Sequence, residues 1–264
     1  MATPFIAATG ILLYYEFMLK EDVSNYLFVT LFFIVLLYVS HGYIDYWYHK
    51  KFPLPLDEEI IAWLRKYSPF YNSLSIEDKE KYHYRMSLYL EAREFKSVGS
   101  EQSKLPDDIM AIIASNSIQL NFHKKDFLMG DFDRIFVYKH PFPSPQFQFL
   151  HSVESQGEDG VLIFSLEHLI PGMIDTENFY NIGMHGYIDA FCKVYPNADY
   201  PWQLDAGWPE VESISGLSKE KILSTLGFDS ADMFVVLATC YFGYPKEFAR
   251  QLPTLTKGMD KVFG

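Results

Sequence analysis

The sequence predicts an α+β domain, with helices around a small sheet, behind an N-terminal membrane helix. The first observation is a run from Val23 to Ile44 that contains no Asp, Glu, Lys or Arg. The second is the hydrophobic period: segments with helical spacing come first, three short strand-like segments follow, and helical segments then return. Strands clustered between runs of helices are typical of α+β folds.

Composition limits the classes of function. The chain has 264 residues, 49% of them hydrophobic and 17% aromatic, which suits one substantial domain with an appendage. The formal net charge is −12, and no basic stripe is present of the kind that contacts phosphate backbones, so we expect no nucleic-acid partner. The two cysteines, Cys192 and Cys240, give neither a disulfide framework nor a C-x-x-C zinc site.

The charge-free run predicts one membrane span over about residues 24–44, within an anchor of residues 1–51. About 20 apolar residues in a helix cross the hydrocarbon core of a bilayer. An aromatic belt and a basic flank follow the run, as is usual at a membrane interface. They are Tyr43, Tyr46, Trp47, Tyr48, His49, Lys50 and Lys51. A cleaved signal peptide fits less well, because the run is long and no small-residue cleavage site follows it.

A second apolar segment, residues 4–18, precedes the span and contains Glu16. It can be a first span that forms a hairpin with the main one, or an interfacial helix, and the charge of Glu16 favours the latter. The flanking charges are Glu16, Lys20, Glu21 and Asp22 before the main span, and Lys50, Lys51, Arg65 and Lys66 after it. By the positive-inside rule, we expect a membrane protein with its C-terminal domain in the cytoplasm.

Beyond the anchor, residues 52–73 are predicted as a linker with a short helix, and residues 74–264 as the main domain. Ser75 is the expected N-cap of a long helix, because Glu77 and Asp78 follow it in the first turn. The predicted helices cover residues 57–67, 76–94, 106–121, 165–173, 177–195, 218–226, 230–244 and 245–257. The predicted strands cover residues 134–139, 146–153 and 160–164.

The residues His185-Gly186-Tyr187-Ile188-Asp189 have the spacing of a zinc-peptidase motif with two positions exchanged. In H-E-x-x-H, two histidines one helical turn apart bind Zn²⁺, and the Glu takes a proton from the metal-bound water. Here Gly186 stands at the Glu position and Asp189 at the second His position. Glycine cannot act as a base, whereas an aspartate can still donate an oxygen to a metal.

Several further segments follow one another along residues 74–264. They are Leu74-Ser-Ile-Glu77, Pro106–Leu120, Ile135-Phe-Val-Tyr138, Val161-Leu-Ile-Phe-Ser-Leu-Glu167, Asn181-Ile-Gly-Met-His185, and Phe234 with Tyr241-Phe-Gly-Tyr-Pro245. In order and spacing they resemble the Mlc titration factor A family of zinc peptidases, whose catalytic core is similar to that of anthrax lethal factor. Leu166 departs from the family segment, which has Trp there. The resemblance implies a zincin-like metallopeptidase domain.

The resemblance also implies a role for each site position. The family's first zinc-binding His falls on His185, its catalytic Glu on Gly186, and its second His on Asp189. Its third ligand, a Glu, falls on Asp232, and a further acidic residue falls on Thr239. The implied metal site is therefore His185, Asp189 and Asp232, without a catalytic base. Such a site should hold Zn²⁺ weakly or not at all, since a neutral imidazole is a better donor for Zn²⁺ than a carboxylate.

The implied function is that of a membrane-anchored family member that has lost peptidase activity and binds a peptide or protein in its cleft, in a regulatory role. An extended ligand would lie along an exposed strand. The regulatory role rests on analogy with the family's interaction with a transcriptional repressor.

Three alternatives stay open. An active metal-dependent hydrolase would need a base from elsewhere, such as Glu167, Asp175 or Glu177. His185 and Asp189 can also form an i, i+4 hydrogen-bonded pair without a metal. Finally, the domain can be a structural one that only packs against neighbours.

Further residues can reach the same cleft. His151 can approach it from the alternating strand. Cys192 shares a helix face with the motif, and Cys240 shares one with Asp232, although most such cysteines are small buried hydrophobic residues. Trp202 and Trp208 can form a lid or a wall of the cleft, or can simply pack in the core.

Overall fold

The computed structural model of the chain describes residues 3–99, 105–130, 132–201 and 205–264. The chain divides into two compact units, with the boundary between Leu54 and Pro55. In the described residues helices predominate, and the strands form one small mixed sheet. The predicted α+β class is therefore confirmed.

The first unit contains two apolar helices, α1 (Thr3–Met18) and α2 (Ser24–Lys51), and no residue of either is buried. Within the described parts of the chain, α2 is the one helix long and apolar enough to cross a membrane. The sequence predicted a span in this place. The end of α2 carries His49, Lys50 and Lys51, the basic flank noted in the sequence.

The second unit contains the remaining helices and all four strands of the sheet. The helices are α3 (Glu58–Tyr67), α4 (Pro69–Ser73), α5 (Ile76–Ala92), α6 (Asp107–Leu120), α7 (Leu166–Ile174), α8 (Ile182–Val194), α9 (Trp208–Ser215), α10 (Lys219–Leu226), α11 (Met233–Gly243), α12 (Pro245–Gln251) and α13 (Pro253–Phe263). The strands are β1 (Glu94–Val98), β2 (Arg134–Tyr138), β3 (Val153–Gln156) and β4 (Val161–Ser165). Ser75 caps α5 as expected: its hydroxyl accepts a hydrogen bond from the Asp78 N–H at 3.1 Å.

The sheet has the strand order β1-β2-β4-β3. Strands β1, β2 and β4 are parallel, whereas β3 is antiparallel to β4 and lies at the edge. One face carries Ile135, Leu162 and Phe164 into the main core, and the other carries a small cluster around Val161 and Ile163. Helix α8 packs against β3 and β4. The helix that carries the sequence motif therefore lies next to the edge strand.

The strand predicted over residues 146–153 is wrong, because residues 146–152 form a loop and β3 begins at Val153. The alternating phenylalanines of this loop instead pack on Phe228: its ring centroid lies 5.2 Å from that of Phe147 and 5.6 Å from that of Phe149. Strand β1 and helices α4 and α9 were not predicted. The helix predicted over residues 245–257 is divided at Leu252 by Pro253, which cannot donate the next helical hydrogen bond.

Arg85 of α5 fixes the end of α6. Its guanidinium donates to the carbonyl oxygens of Asn121 at 2.8 Å, Phe122 at 3.1 Å and Lys124 at 2.7 Å. These carbonyls lie at or beyond the end of α6, where backbone acceptors have no helical partner and a cation is favourable. Burial lowers the pKa of Arg85, but an arginine remains charged.

Candidate functional site

Helix α8 carries three of the positions assigned to the site from the sequence. The Asn181 side chain accepts a hydrogen bond from the Met184 N–H at 2.9 Å, so the helix begins at Ile182 rather than at residue 177. From that start, His185 and Asp189 lie one turn apart on one face of the helix. Because α8 packs against β3, β4 and α11, this face is held beside both the sheet edge and α11.

A cavity of about 270 Å³ is lined by residues of β3, α8 and the start of α11. His185, Gly186 and Asp189 line it from α8, and Asp232 lines it from the residue that precedes α11. The structure thus brings together all four positions assigned from the sequence. The rest of the wall includes Val153, Glu154 and Ser155 of β3, Lys193, and the rings of Phe147 and Phe228.

His185 is a neutral group at neutral pH. Burial lowers the pKa of its imidazole to about 4, although the carboxylates of Asp189 and Asp232 act in the opposite direction. Its Nδ1 lies 2.8 Å from the hydroxyl oxygen of Tyr180, a buried side chain just before α8. This contact fixes the ring. No contact to Nε2 is found among the described residues, so this nitrogen is the one free to meet a ligand.

The Asp189 carboxylate forms an ion pair with a lysine. Its Oδ2 lies 2.9 Å from Nζ of Lys193, one turn further along α8. The same Nζ donates to the backbone oxygen of Ser155 at 2.7 Å and to its Oγ at 2.6 Å. The Ser155 hydroxyl in turn donates to Asp189. We call these three side chains the β3–α8 latch, because they join the edge strand to the helix.

Asp232 acts as the N-cap of α11. Its Oδ1 accepts a hydrogen bond from the Phe234 N–H at 2.8 Å, which accounts for an acidic residue at this position without any metal. Thr239, where the family has a further acidic residue, is buried and donates its hydroxyl to the Val235 carbonyl at 2.8 Å. It is a structural residue of α11.

These side chains, as placed, do not fit a zinc site. Within the described ranges, no three His, Cys, Asp or Glu side chains are grouped closely enough to hold a metal ion. The physical reason lies in the contacts: Asp189 is paired with the ammonium of Lys193, and Asp232 accepts the backbone N–H of Phe234 with one oxygen. A zinc-binding histidine usually donates its second ring N–H to a carboxylate or carbonyl, whereas His185 contacts a hydroxyl.

Gly186 lies where an added side chain would force its neighbours to shift. A Cβ added there would lie 2.7 Å from Cγ2 of Val153 and 2.8 Å from Cε1 of Phe164, both closer than real Cβ contacts. Val153 and Phe164 are themselves buried side chains of β3 and β4. The sheet therefore packs closely on the helix at residue 186.

The carboxylates proposed as replacement bases do not line the cavity. Glu167 is exposed and lies 2.7 Å from His140 Nδ1, and this hydrogen bond is the main reason that its pKa is lowered. Asp175 accepts hydrogen bonds from Asn178. Glu177 does not belong to the cavity wall either.

Glu154 does line the cavity, and sequence reasoning missed it. Its Oε2 lies 2.9 Å from Nε2 of His151, and both side chains are buried. Nδ1 of His151 is 3.0 Å from the Phe149 carbonyl oxygen, which can only accept, so Nδ1 carries a hydrogen. Nε2 is the ring nitrogen that faces the Glu154 carboxylate. The Gln156 side-chain amide donates a hydrogen bond to Oε1 of Glu154 at 2.7 Å.

Cys192, Cys240 and Trp208, which the sequence placed near the cleft, lie outside the cavity wall. Cys192 is half-buried and Cys240 is buried, and burial raises the pKa of each thiol to about 12, so neither is a reactive thiolate. Trp208 begins α9, and Trp202 lies outside the described residues.

Of the two missed contacts, one had a signal in the sequence. Asp189 and Lys193 are four residues apart in a predicted helix, which is the spacing of an ion pair. His151 and Glu154 had none, because residues three apart in a continuous strand face opposite sides of the sheet.

No protein-family model matches the chain, and no curated protein matches it significantly.

Proposed function

We propose that the protein is a membrane-anchored, zincin-like domain related to the Mlc titration factor A peptidases, which does not hydrolyse peptides and instead binds a peptide or protein segment in the cavity beside β3. One observation carries this proposal: the would-be Cβ of Gly186 overlaps Val153 and Phe164. A hydrolase of this type needs a base beside its activated water, and the glycine packed at this position supplies none.

The arrangement of the cavity supports the family relationship. Residues from two separate helices, His185 and Asp189 of α8 and Asp232 at the start of α11, line one cavity. The edge strand β3 runs antiparallel to its neighbour and borders the same cavity. A small sheet with a motif-bearing helix at its edge is what the resemblance implies.

The cavity favours a ligand side chain over an added strand. The three β3 residues that line it, Val153, Glu154 and Ser155, are only 4 to 5% exposed. The Ser152 N–H and the Ser155 carbonyl, which an added strand would contact, already bond to Leu226 and to Lys193. A cavity of about 270 Å³ is smaller than most drug-sized pockets and suits one or two side chains.

The polar groups of the cavity orient a ligand without reacting with it. Neutral His185 offers Nε2 as a single hydrogen-bonding site, and Asp232 keeps Oδ2 available at the exposed rim. Phe147 and Phe228 supply apolar walls. Such a mixture of apolar surface and a few placed polar groups is typical of binding pockets.

Helix α2 is the proposed anchor, with the second unit in the cytoplasm. The support is the length and apolar character of α2 and the basic residues that end it. Basic residues accumulate on the cytoplasmic side of a span.

The enzymatic part of the proposal is tested on the purified full chain in detergent. We expect less than stoichiometric zinc by mass spectrometry of the metal and no cleavage of fluorescent casein or of a quenched peptide library, with or without a chelator. Stoichiometric zinc together with chelator-sensitive cleavage would overturn it.

The binding part is tested by selecting peptides from a displayed library on the full chain. We expect the selected peptides to lose affinity for Ser230→Trp, which fills the exposed rim of the cavity, and to keep it for Asp229→Trp, an exposed neighbour outside the wall. Equal binding to both variants, or no selected peptide at all, would contradict a ligand in this cavity.

An active hydrolase with a relocated base is the second candidate, and one observation favours it: Glu154 lines the cavity. Against it, Glu154 is bonded to His151 and Gln156. Cleavage that disappears in Glu154→Gln would support this candidate over the first.

A further inference from the structure

Helix α1 has the surface of a membrane-inserted helix and not that of an interfacial one. An interfacial helix has one apolar face and one charged face. The 16 residues of α1 include one charged side chain, Glu16, and no basic residue. Its large apolar side chains are exposed over a wide arc of the helix, among them Ile6 at 57%, Ile11 at 59% and Tyr15 at 41%, and its remaining face is half-buried. The exposed arc needs an apolar environment.

The single charge of α1 is compensated at the turn that joins it to α2. Glu16 Oε2 accepts a hydrogen bond from the Val23 N–H at 2.8 Å, immediately before α2 begins. The free N–H groups at a helix start stabilise a carboxylate. Glu16 thus lies at the end of α1 beside the polar residues Lys20, Glu21 and Asp22, where membrane headgroups and water are accessible.

Helix α1 packs antiparallel to the first part of α2. At the turn, Glu16 contacts Val23, and at the far end the rings of Phe5 and Phe33 stack with centroids 5.2 Å apart. Contacts at both ends define a helical hairpin. At 1.5 Å per residue, α1 is about 24 Å long, most of the roughly 30 Å hydrocarbon core, and a small mismatch is met by local thinning of the bilayer.

We infer that α1 and α2 enter the bilayer together as a helical hairpin, with lipid hydrocarbon as the partner of the exposed faces of both helices. The start of α1 and the end of α2 then face the same compartment, and the 19–23 turn faces the opposite one. This inference does not depend on what the second unit binds.

The test maps the sidedness of the full chain in sealed membrane vesicles. Single cysteines are introduced as Thr3→Cys, Asp22→Cys and Lys51→Cys in a background with Cys192→Ala and Cys240→Ala, and are labelled with an impermeant maleimide. We expect Thr3→Cys and Lys51→Cys to react from one side and Asp22→Cys from the other. Reaction of Thr3→Cys from the same side as Asp22→Cys would overturn the hairpin.

A second measurement avoids the cysteine-free background, in which loss of the buried Cys240 thiol can impair folding. Epitope tags are placed before Thr3 and after Gly264 of the otherwise unaltered chain and are probed in intact and permeabilised cells. The hairpin places both tags on the same side. Tags that become accessible under opposite conditions would refute it.

Discussion

At the scale of single residues, Gly186 is constrained by the packing of the sheet on α8. We expect Gly186→Ala to lower the free energy of unfolding by about 1–3 kcal/mol, because overpacking against Val153 and Phe164 outweighs the gain of about 1 kcal/mol in helix propensity. Chemical denaturation of the full chain in detergent measures this. Gly243→Ala is the matched control, since Gly243 lies in α11 with no atom within 4 Å of its would-be Cβ, and it should be neutral or stabilising. Equal effects at both positions would refute the packing argument.

His185 should make the stability of the domain depend on pH. Its pKa is lowered to about 4 by burial, below the value of about 6.5 for an unfolded histidine. The unfolded state therefore binds the proton more readily, and the stability that His185 contributes is complete above about pH 6.5 and is lost as the pH falls towards 4. We expect a loss of roughly 2–3 kcal/mol across this window.

Denaturation at a series of pH values measures this loss, and His185→Gln should flatten the profile. His123→Gln, at an exposed histidine, serves as the control. An unchanged slope in His185→Gln would show that another group is responsible.

Among the charged residues, we expect substitution of Arg85 to lower the free energy of unfolding most. Arg85→Met keeps much of the side-chain volume but removes the donors to the carbonyls of Asn121, Phe122 and Lys124. We expect a loss of roughly 3 kcal/mol in the free energy of unfolding, because charged hydrogen bonds contribute about 1.5–3 kcal/mol each and do not add fully. Arg250→Met is the control, since Arg250 is exposed and forms an ion pair with Glu247 on α12. Similar losses in both variants would contradict the special role of Arg85.

At the scale of elements, the β3–α8 latch should couple the edge strand to the helix only modestly. Lys193 and Asp189 are 42% and 36% exposed, so solvent screens their interaction. A double-mutant cycle with Lys193→Met and Asp189→Asn should give a coupling of about 0.5–1 kcal/mol. The more exposed pair Lys96 and Glu94, 2.8 Å apart, is the reference and should give less. A coupling energy no larger than that of the reference pair would contradict a specific role of the latch in joining β3 to α8.

Most of the helices were predictable from the sequence because local signals place them, whereas the short helices α4 and α9 were not predicted. Ser75 and Asn181 cap their helices with their own side chains. The apolar residues of α6 have helical spacing, although most of this helix is buried. Strand β3 was not predictable, since Glu154, Ser155 and Gln156 do not resemble a buried strand. Their polar groups are satisfied by His151, by the latch, and by one another. Long-range contacts override local propensity here.

The sequence predicted that His185, Gly186, Asp189 and Asp232 lie together, and they line one cavity. It did not predict what these side chains contact. The hydrogen-bond partners of these side chains could not be predicted from sequence patterns, because the contact of Ser155 with Asp189 depends on which strand borders α8.

At the scale of the whole molecule, the apolar unit should keep the chain in the membrane under conditions that release peripheral proteins. We expect the full chain to remain in the membrane fraction after carbonate extraction. Ile34→Arg should reduce that fraction, because an arginine near the centre of a span costs about 2.5–3.5 kcal/mol on insertion scales. Lys51→Arg keeps the basic flank of α2 and is the control. Release of the unaltered chain by carbonate would contradict insertion.

The fit of β3 and β4 against Gly186 also limits how the domain can be redesigned. A longer side chain at residue 186 requires Val153 and Phe164 to shift or to become smaller, and truncating a buried Phe costs about 3–5 kcal/mol. That loss is a large part of the 5–15 kcal/mol that keeps an ordinary domain folded. Any design that installs a carboxylate at residue 186 must therefore first restore the stability of the sheet.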